Sequence, residues 1–198
     1  MNDFKEKLKT CLSDIKTKSP VVHSITNFVT MQDCANITVA IGASPVMAYF
    51  YEEVSQITQV SQSVVLNTGT PDENRIKAII ASGKTANEEN IPVILDPVGV
   101  GASDFRKESI KKILDNVKPS VIKGNVAEIK TLAGLSIKKN KCVDSAEFLE
   151  EYDKEAFKKL ALELKTVIAV TGKHDFITDG NRCCEIKRGS KMMTGISG

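Results

Sequence analysis

Two acidic residues stand where an α/β protein would expose them at one edge of its sheet. Asp96 follows the apolar run of a short strand, and Glu128 lies a turn into the helix after the next strand. Such a pair could share Mg²⁺, which prefers a few carboxylates together with water and phosphate oxygens. Lys123 adds a cation beside them, and glycines near helix N-termini leave room for anions: Gly99, Gly101, Gly124 and Gly172. Together these groups suit phosphoryl transfer, which depends on positioning and charge stabilisation.

Each candidate also has a structural explanation, and the spacing leaves the choice open. Asp96 could cap its own loop, and Glu128 could be a first-turn acid that suits the helix dipole. A lone histidine such as His23 is more typical of a hydrogen-bonded structural residue. Met47 is more typical of a gap-filling core side chain.

Other function classes lack their signatures. There is no GxxxxGK[ST] and no GxGxxG with a suitably placed acid, which disfavours a P-loop enzyme and a Rossmann dehydrogenase. A net charge of +2 indicates no nucleic-acid footprint. No apolar run approaches the roughly 20 residues of a membrane span, and the charged N-terminus favours a cytoplasmic location. The five cysteines form no CxxC pair, which disfavours zinc.

Strands alternate with helices over most of the chain, and the pattern predicts one α/β domain over residues 1–198. We expect a mostly parallel sheet with helices on both faces. Predicted strands are 63–67, 93–96, 120–123, 166–172 and two more joined at Asp179–Gly180, with a loop over 19–27. Predicted helices are the N-terminal helix, 29–41, one from about Glu52, one from Pro71 to about Asn87, 103–116, one carrying Glu128, and 145–165.

Ligands of such sheets bind outside the carboxyl ends of the strands. Polar and glycine residues gather at those ends, which favours a site there over a set of unrelated turns. They are Asn67 with Thr68, Asp96, Lys123 with Asn125, and Thr171 with Gly172.

Several long motifs, which cover nearly the whole chain in order, resemble the hydroxyethylthiazole kinase family. They are HSITNFVTMQDCANITVAIGASPVMA (23–48), LNTGT (66–70), ILDPVGVGAS (94–103), VIKGNVAEI (121–129), CVDS (142–145) and AVTGKHDFITDG (169–180). The resemblance implies a ribokinase-like three-layer fold and transfer of the ATP γ-phosphate to the alcohol of 4-methyl-5-(2-hydroxyethyl)thiazole, a step of thiamine biosynthesis. It also implies Mg²⁺ and a homotrimer with sites at subunit interfaces.

The resemblance also implies roles for individual residues. Asp96 and Glu128 would bind the metal and phosphates, and Lys123 and Thr171 would bind ATP. The thiazole would be bound by Met47, Asn27 and Gly198.

The last residues, KMMTGISG, match only the start of the family's glycine-rich cysteine loop. No catalytic residue is therefore assigned within the chain, the fold is expected to lack its C-terminal part, and residues 1–198 alone are expected to be weakly active or inactive. Two alternatives stay open: a kinase of another small alcohol, of the hydroxymethylpyrimidine or pyridoxal type, and a catalytically dead binding module.

Overall fold

The computed structural model describes residues 2–135 and 149–187, which form alternating strands and helices around one sheet. The strands are β1 (Val21–Ile25), β2 (Ser44–Val46), β3 (Ser63–Asn67), β4 (Val93–Asp96), β5 (Val121–Asn125), β6 (Val167–Thr171), β7 (Asp175–Thr178) and β8 (Cys183–Ile186). The helices are α1 (Asn2–Lys18), α2 (Met31–Ala40), α3 (Tyr51–Gln59), α4 (Glu73–Glu88), α5 (Asp104–Leu114), α6 (Val126–Leu132) and α7 (Glu151–Leu164).

The sheet has the strand order β2-β1-β3-β4-β5-β6-β7-β8. Pairs from β2 to β6 are parallel, and β7 and β8 add two antiparallel strands. Because the chain moves in one direction from β2 to β6, right-handed crossovers place α3, α4 and α5 on one face and α2 on the other. The predicted mostly parallel α/β sheet is confirmed.

The core lies between the sheet and this row of helices. Residues of β4, β5 and β6 alternate between buried and half-buried, so one face of the sheet is closed more tightly than the other. Fully buried side chains of the closed face include Leu66, Leu95, Ile122 and Ile168. These strands and their ends are what positions the candidate site.

The loop predicted over residues 19–27 is wrong. Residues 21–25 form β1, which lies between β2 and β3 inside the sheet. Inside this strand His23 is fully buried, and it is hydrogen-bonded to groups from distant parts of the chain.

Two predicted helix boundaries also change. Pro71 does not begin α4, because Asp72 is its N-cap and accepts a hydrogen bond from the Arg75 backbone N–H. The helix predicted over 145–165 is described from Glu151 to Leu164, and residues 145–148 lie outside the described part.

Candidate functional site

A row of polar side chains crosses the carboxyl edge of three neighbouring strands. Asn67 of β3 and Asp96 of β4 are register partners. The β4–β5 pairing, continued by one residue, puts Lys123 next in the row. Asp96 Oδ2 accepts hydrogen bonds from Asn67 Nδ2 at 3.1 Å and from Lys123 Nζ at 3.4 Å. The structure therefore brings together Asp96 and Lys123, as the sequence predicted.

Asp96 does not cap its own loop, and its carboxylate is held with one oxygen bound and one oxygen unused. Oδ1 is buried and has no hydrogen-bond partner among residues 2–135 and 149–187. Burial raises the pKa of Asp96, and Lys123 and Asn67 oppose that rise. An unpaired buried acceptor costs about 1–3 kcal/mol. A free oxygen kept at that cost, next to a cation, is typical of a site that receives a ligand.

Glu128 has the structural role that the sequence left open. Its Oε2 accepts from the Asn125 backbone N–H at 2.8 Å, and the Asn125 side chain accepts from the Glu128 backbone N–H, which completes a capping box for α6. Oε1 accepts from the backbone N–H of Gly99, a glycine at φ +65°. Burial raises the pKa of Glu128, the two backbone donors oppose the rise, and the neighbouring Asp96 charge adds to it.

This geometry still leaves Glu128 available to a ligand. A carboxylate has about four lone-pair sites, and the two backbone donors occupy one on each oxygen. The Asp96 charge helps to raise the pKa of Glu128, so the two carboxylates lie within electrostatic reach of each other. Each carboxylate is thus held in one orientation by groups of the chain itself.

Asn27, just beyond β1, joins the same row through Asn67. Its Oδ1 accepts from the backbone N–H groups of Val29 and Thr30, both at 3.0 Å. Its Nδ2 donates to Asn67 Oδ1 at 3.2 Å. The predicted site residue Asn27 is therefore connected to Asp96 through one intervening amide.

Met47 lies toward the other end of this sheet edge from the charged groups. It follows β2 and is half-buried. Three strand spacings separate β2 from β4, or about 14 Å at ~4.8 Å per strand. The structure places Met47 and Asn27 on one side of the edge and the charged groups on the other.

Thr171 ends β6 on the far side of Lys123. Its Oγ1 donates to the carbonyl oxygen of Gly124 at 3.3 Å. A cavity of about 130 Å³ lies beside it, and its lining includes both basic and acidic side chains. The lining residues are Val126, Leu149, Lys154, Gly172, Lys173, His174, Asp175 and Glu185. Gly198, the remaining predicted substrate contact, lies outside the described residues.

His23 is a structural residue, as its surroundings on β1 show. It is fully buried, Nδ1 lies 3.0 Å from Thr58 Oγ1, and Nε2 lies 2.9 Å from the carbonyl oxygen of Ala48. Because a carbonyl only accepts, Nε2 carries the proton and Nδ1 accepts from the Thr58 hydroxyl. His23 thereby holds the segment that carries Met47.

Sequence reasoning missed the buried cation next to this segment. The Arg75 guanidinium donates to the carbonyl oxygen of Thr26 and lies 4.0 Å from the ring centroid of Phe28 and 5.3 Å from that of Tyr49. Desolvation lowers the Arg75 pKa from its ordinary value. No local signal marks Arg75, because its position in α4 matches that of an ordinary first-turn residue.

Two features, a membrane-spanning helix and a cluster of metal ligands, are absent from the residues that the structure describes. No helix within 2–135 and 149–187 combines the length and apolar character that crossing a membrane requires. In the same ranges no three or more His, Cys, Asp or Glu side chains cluster as a metal site.

The mostly parallel sheet, with polar and charged side chains at its carboxyl edge, defines the class of protein: an α/β protein of ribokinase-like fold. A solved structure titled as a putative ribokinase II from E. coli in complex with ATP and Mg²⁺ shares this fold at 10% identity, with a TM-score of 0.55 over 90% of this chain and 66% of that chain.

Closer similarity identifies the family. A profile of the hydroxyethylthiazole kinase family matches residues 12–198. The hydroxyethylthiazole kinase of Alkaliphilus oremlandii is 47% identical over 99% of this chain and 72% of its own length. The hydroxyethylthiazole kinase of Thermoanaerobacter pseudethanolicus is 48% identical over 96% of this chain and 71% of its own length. The solved hydroxyethylthiazole kinase of Pyrococcus horikoshii has a TM-score of 0.81 at 37% identity, over 93% of this chain and 67% of that chain. The chain belongs to the hydroxyethylthiazole kinase family.

Proposed function

We propose that this protein transfers the γ-phosphoryl group of ATP to the primary alcohol of 4-methyl-5-(2-hydroxyethyl)thiazole, in thiamine biosynthesis or salvage. One observation carries the proposal beyond family membership. Within the described part of the chain, Asp96 presents a buried carboxylate oxygen without a hydrogen-bond partner beside Lys123, at the sheet edge where ligands of this fold class bind. The relatives' names favour a thiazole over a pyrimidine or pyridoxal acceptor.

The donor set fits Mg²⁺. The ion prefers oxygen ligands, and a site of one or two carboxylates is completed by water and phosphate oxygens. Asp96 Oδ1 has no partner among the described residues, and Glu128 keeps lone pairs beyond its two backbone bonds. We therefore assign Asp96 and Glu128 to hold Mg²⁺, which would neutralise charge on the ATP phosphates when bound.

Lys123 and Thr171 flank the same edge and are proposed to bind ATP. The Lys123 side chain is 44% exposed, so its ammonium can leave Asp96 for a phosphate oxygen. The Thr171 hydroxyl lies on the next strand, beside the cavity whose lining includes Lys154 and Lys173. The ammonium of Lys123 would hold the nucleotide and help to stabilise the transferring phosphoryl group.

Met47, Asn27 and Gly198 are proposed to bind the thiazole. Met47 and Asn27 lie on the other side of Asp96 from Lys123 and Thr171. With these assignments the acceptor alcohol and the nucleotide would lie on opposite sides of Asp96, an arrangement consistent with in-line transfer between them.

We further propose a cytoplasmic homotrimer whose interface covers the acceptor side of the site. Helix α2 has no fully buried residue, and its Ile37 and Val39 are 62% and 60% exposed. Phe28 and Phe50, beside the thiazole residues, are also exposed. Apolar side chains grouped in this way favour burial against a second copy.

Sedimentation measures this assembly directly. Ile37→Glu is expected to convert the trimer to monomer, because a buried unpaired charge opposes association. Lys112→Glu, on the exposed surface of α5, is the control and should remain a trimer. A wild-type protein that sediments as a monomer contradicts the proposal.

The activity is tested by incubating the purified protein with ATP, Mg²⁺ and each of three acceptors: the thiazole, hydroxymethylpyrimidine and pyridoxal. ³¹P NMR follows phosphate transfer. We expect slow formation of a phosphate ester, on the thiazole alone, in keeping with the weak activity expected of residues 1–198. Transfer to the pyrimidine or pyridoxal in preference, or binding of the thiazole without any transfer, would overturn the proposal.

A further inference from the structure

The side-chain amide of Asn67 is buried, and both its oxygen and its nitrogen are hydrogen-bonded. It is 8% exposed. Its Oδ1 accepts from the backbone N–H of Gly69 at 2.9 Å and from Asn27 Nδ2, and its Nδ2 donates to Asp96 Oδ2. The amide therefore bridges β3 to both of its neighbours at the site.

The direction of this bridge is determined by backbone groups at both ends. A backbone N–H can only donate, so the Asn67 atom facing Gly69 is the oxygen and the atom facing Asp96 is the nitrogen. In the same way, two backbone donors identify the oxygen of Asn27, which leaves its nitrogen to face Asn67. The two amides thus form a chain of donors that runs from Asn27 to Asp96.

This chain decides which oxygen of Asp96 is free. Asn67 and Lys123 both donate to Oδ2, and Oδ1 is left buried without a partner in the described ranges. Lys123 is 44% exposed at the end of a long side chain, whereas the Asn67 oxygen accepts two further hydrogen bonds. The rigid partner is therefore the amide.

Gly69 shows how little room this arrangement has. A Cβ at Gly69 would lie 2.7 Å from the Cβ of Asn27 and 3.0 Å from Asn67 Oδ1. Both distances are shorter than a van der Waals contact. The LNTGT turn therefore packs directly against the two amides and keeps them in one arrangement.

We propose that Asn67 is a positioning residue that orients Asp96, so that Oδ1 faces the metal and phosphates, and ties this orientation to the Asn27 segment on the acceptor side. The inference rests on the proposed function for the identity of the metal and acceptor. Partners that orient a ligating side chain typically change metal affinity or activity by about 10–100-fold when removed.

Asn67→Leu removes the amide at similar size, and Asn67→Ser is the second variant in case the leucine prevents folding. Asn87→Leu is the matched control. Asn87 also bridges two segments with its amide, through the backbone N–H and carbonyl of Lys118, but at the opposite end of α4 from the site. Circular dichroism establishes that each variant is folded.

The first measurement is the affinity for Mn²⁺ in the presence of ADP, by electron paramagnetic resonance, and the second is kcat. We expect the folded Asn67 variants to bind Mn²⁺ about 10-fold or more weakly and to lose kcat by a similar factor. Asn87→Leu should match the wild type in both. Wild-type Mn²⁺ affinity in a folded Asn67 variant, equal loss in Asn87→Leu, or no Mn²⁺ binding by the wild type overturns the inference.

The two proposals can fail separately. If the wild type does not phosphorylate the thiazole but Mn²⁺ affinity still depends on Asn67, the substrate assignment is wrong and the positioning role stands. If the thiazole is phosphorylated and Asn67 does not affect Mn²⁺, the positioning role is wrong and the activity stands.

Discussion

The buried histidine of β1 makes the stability of this protein depend on pH in a defined interval. Burial lowers the pKa of His23 from its ordinary value of 6.5. In the unfolded chain the same imidazole takes a proton near pH 6.5, whereas in the folded protein it takes one only at a lower pH. Below that pH the unfolded state therefore binds more protons, and stability is lost as the pH falls toward the folded pKa.

The size of this effect follows from linkage. One proton bound by the unfolded chain and excluded from the native protein changes the free energy of unfolding by at most about 1.4 kcal/mol per pH unit. The contacts of His23 support a neutral ring. The Ala48 carbonyl requires Nε2 to donate, and Thr58 Oγ1 supplies a hydroxyl to Nδ1 while also lying 2.8 Å from Ser82 Oγ.

The assay is urea unfolding at pH 7.5, 6.5 and 5.5, for the wild type and two variants. His23→Gln keeps a donor for Ala48 but cannot titrate, so its free energy of unfolding should fall less steeply with acidification than that of the wild type. His174→Gln replaces the other histidine, which is exposed, and should run parallel to the wild type. Parallel curves for the wild type and His23→Gln between pH 7.5 and 5.5 would refute this reasoning.

Two further substitutions separate activity from stability. Asp96→Asn should lower kcat at least about 100-fold, because the charge proposed to hold Mg²⁺ is removed. Its thermal stability should equal or exceed that of the wild type, because a buried carboxylate is replaced by a neutral group. A variant with wild-type kcat contradicts the assigned role. Gly83→Ala places a Cβ 2.6 Å from both methyl groups of Val117. The overpacking costs about 1–3 kcal/mol, and the better helix propensity of alanine offsets ~1 kcal/mol of it. The melting temperature should therefore fall with kcat unchanged. A more stable variant would show that Val117 can move to accommodate the methyl group.

Much of the sheet was predictable from local sequence. The runs SVVLN and VILD combine β-branched and apolar residues with a polar residue at the end, and both form parallel strands at the predicted places. The parallel arrangement in turn predicted that Asp96 and Lys123 would meet at one edge. Local pattern was sufficient here because these strands are short and bounded by turn residues.

β1 was not predictable in this way. Its VVHSI run carries a histidine and a serine, which are rare in a buried strand unless they have partners. The partners of His23 come from the Ala48 segment, α3 and α4, between 25 and 59 residues further along the chain. A segment's own sequence does not show which distant groups will form hydrogen bonds with its buried polar side chains. The strand therefore could not be told from a loop by local sequence.

The sequence by itself determined the types of chemical group at this site and the elements that carry them: two carboxylates, a lysine, amides and glycines at strand ends. The tertiary structure alone decided that Asn67 stands between Asn27 and Asp96 and that Glu128 has both oxygens bound to backbone N–H groups. It also decided that the strand before Met47 lies three strands away from the one that ends at Asp96. The physical reason is the strand order. Which strands become neighbours depends on packing and long-range pairing across the whole sheet, and hydrogen bonds between side chains follow only after that order is established.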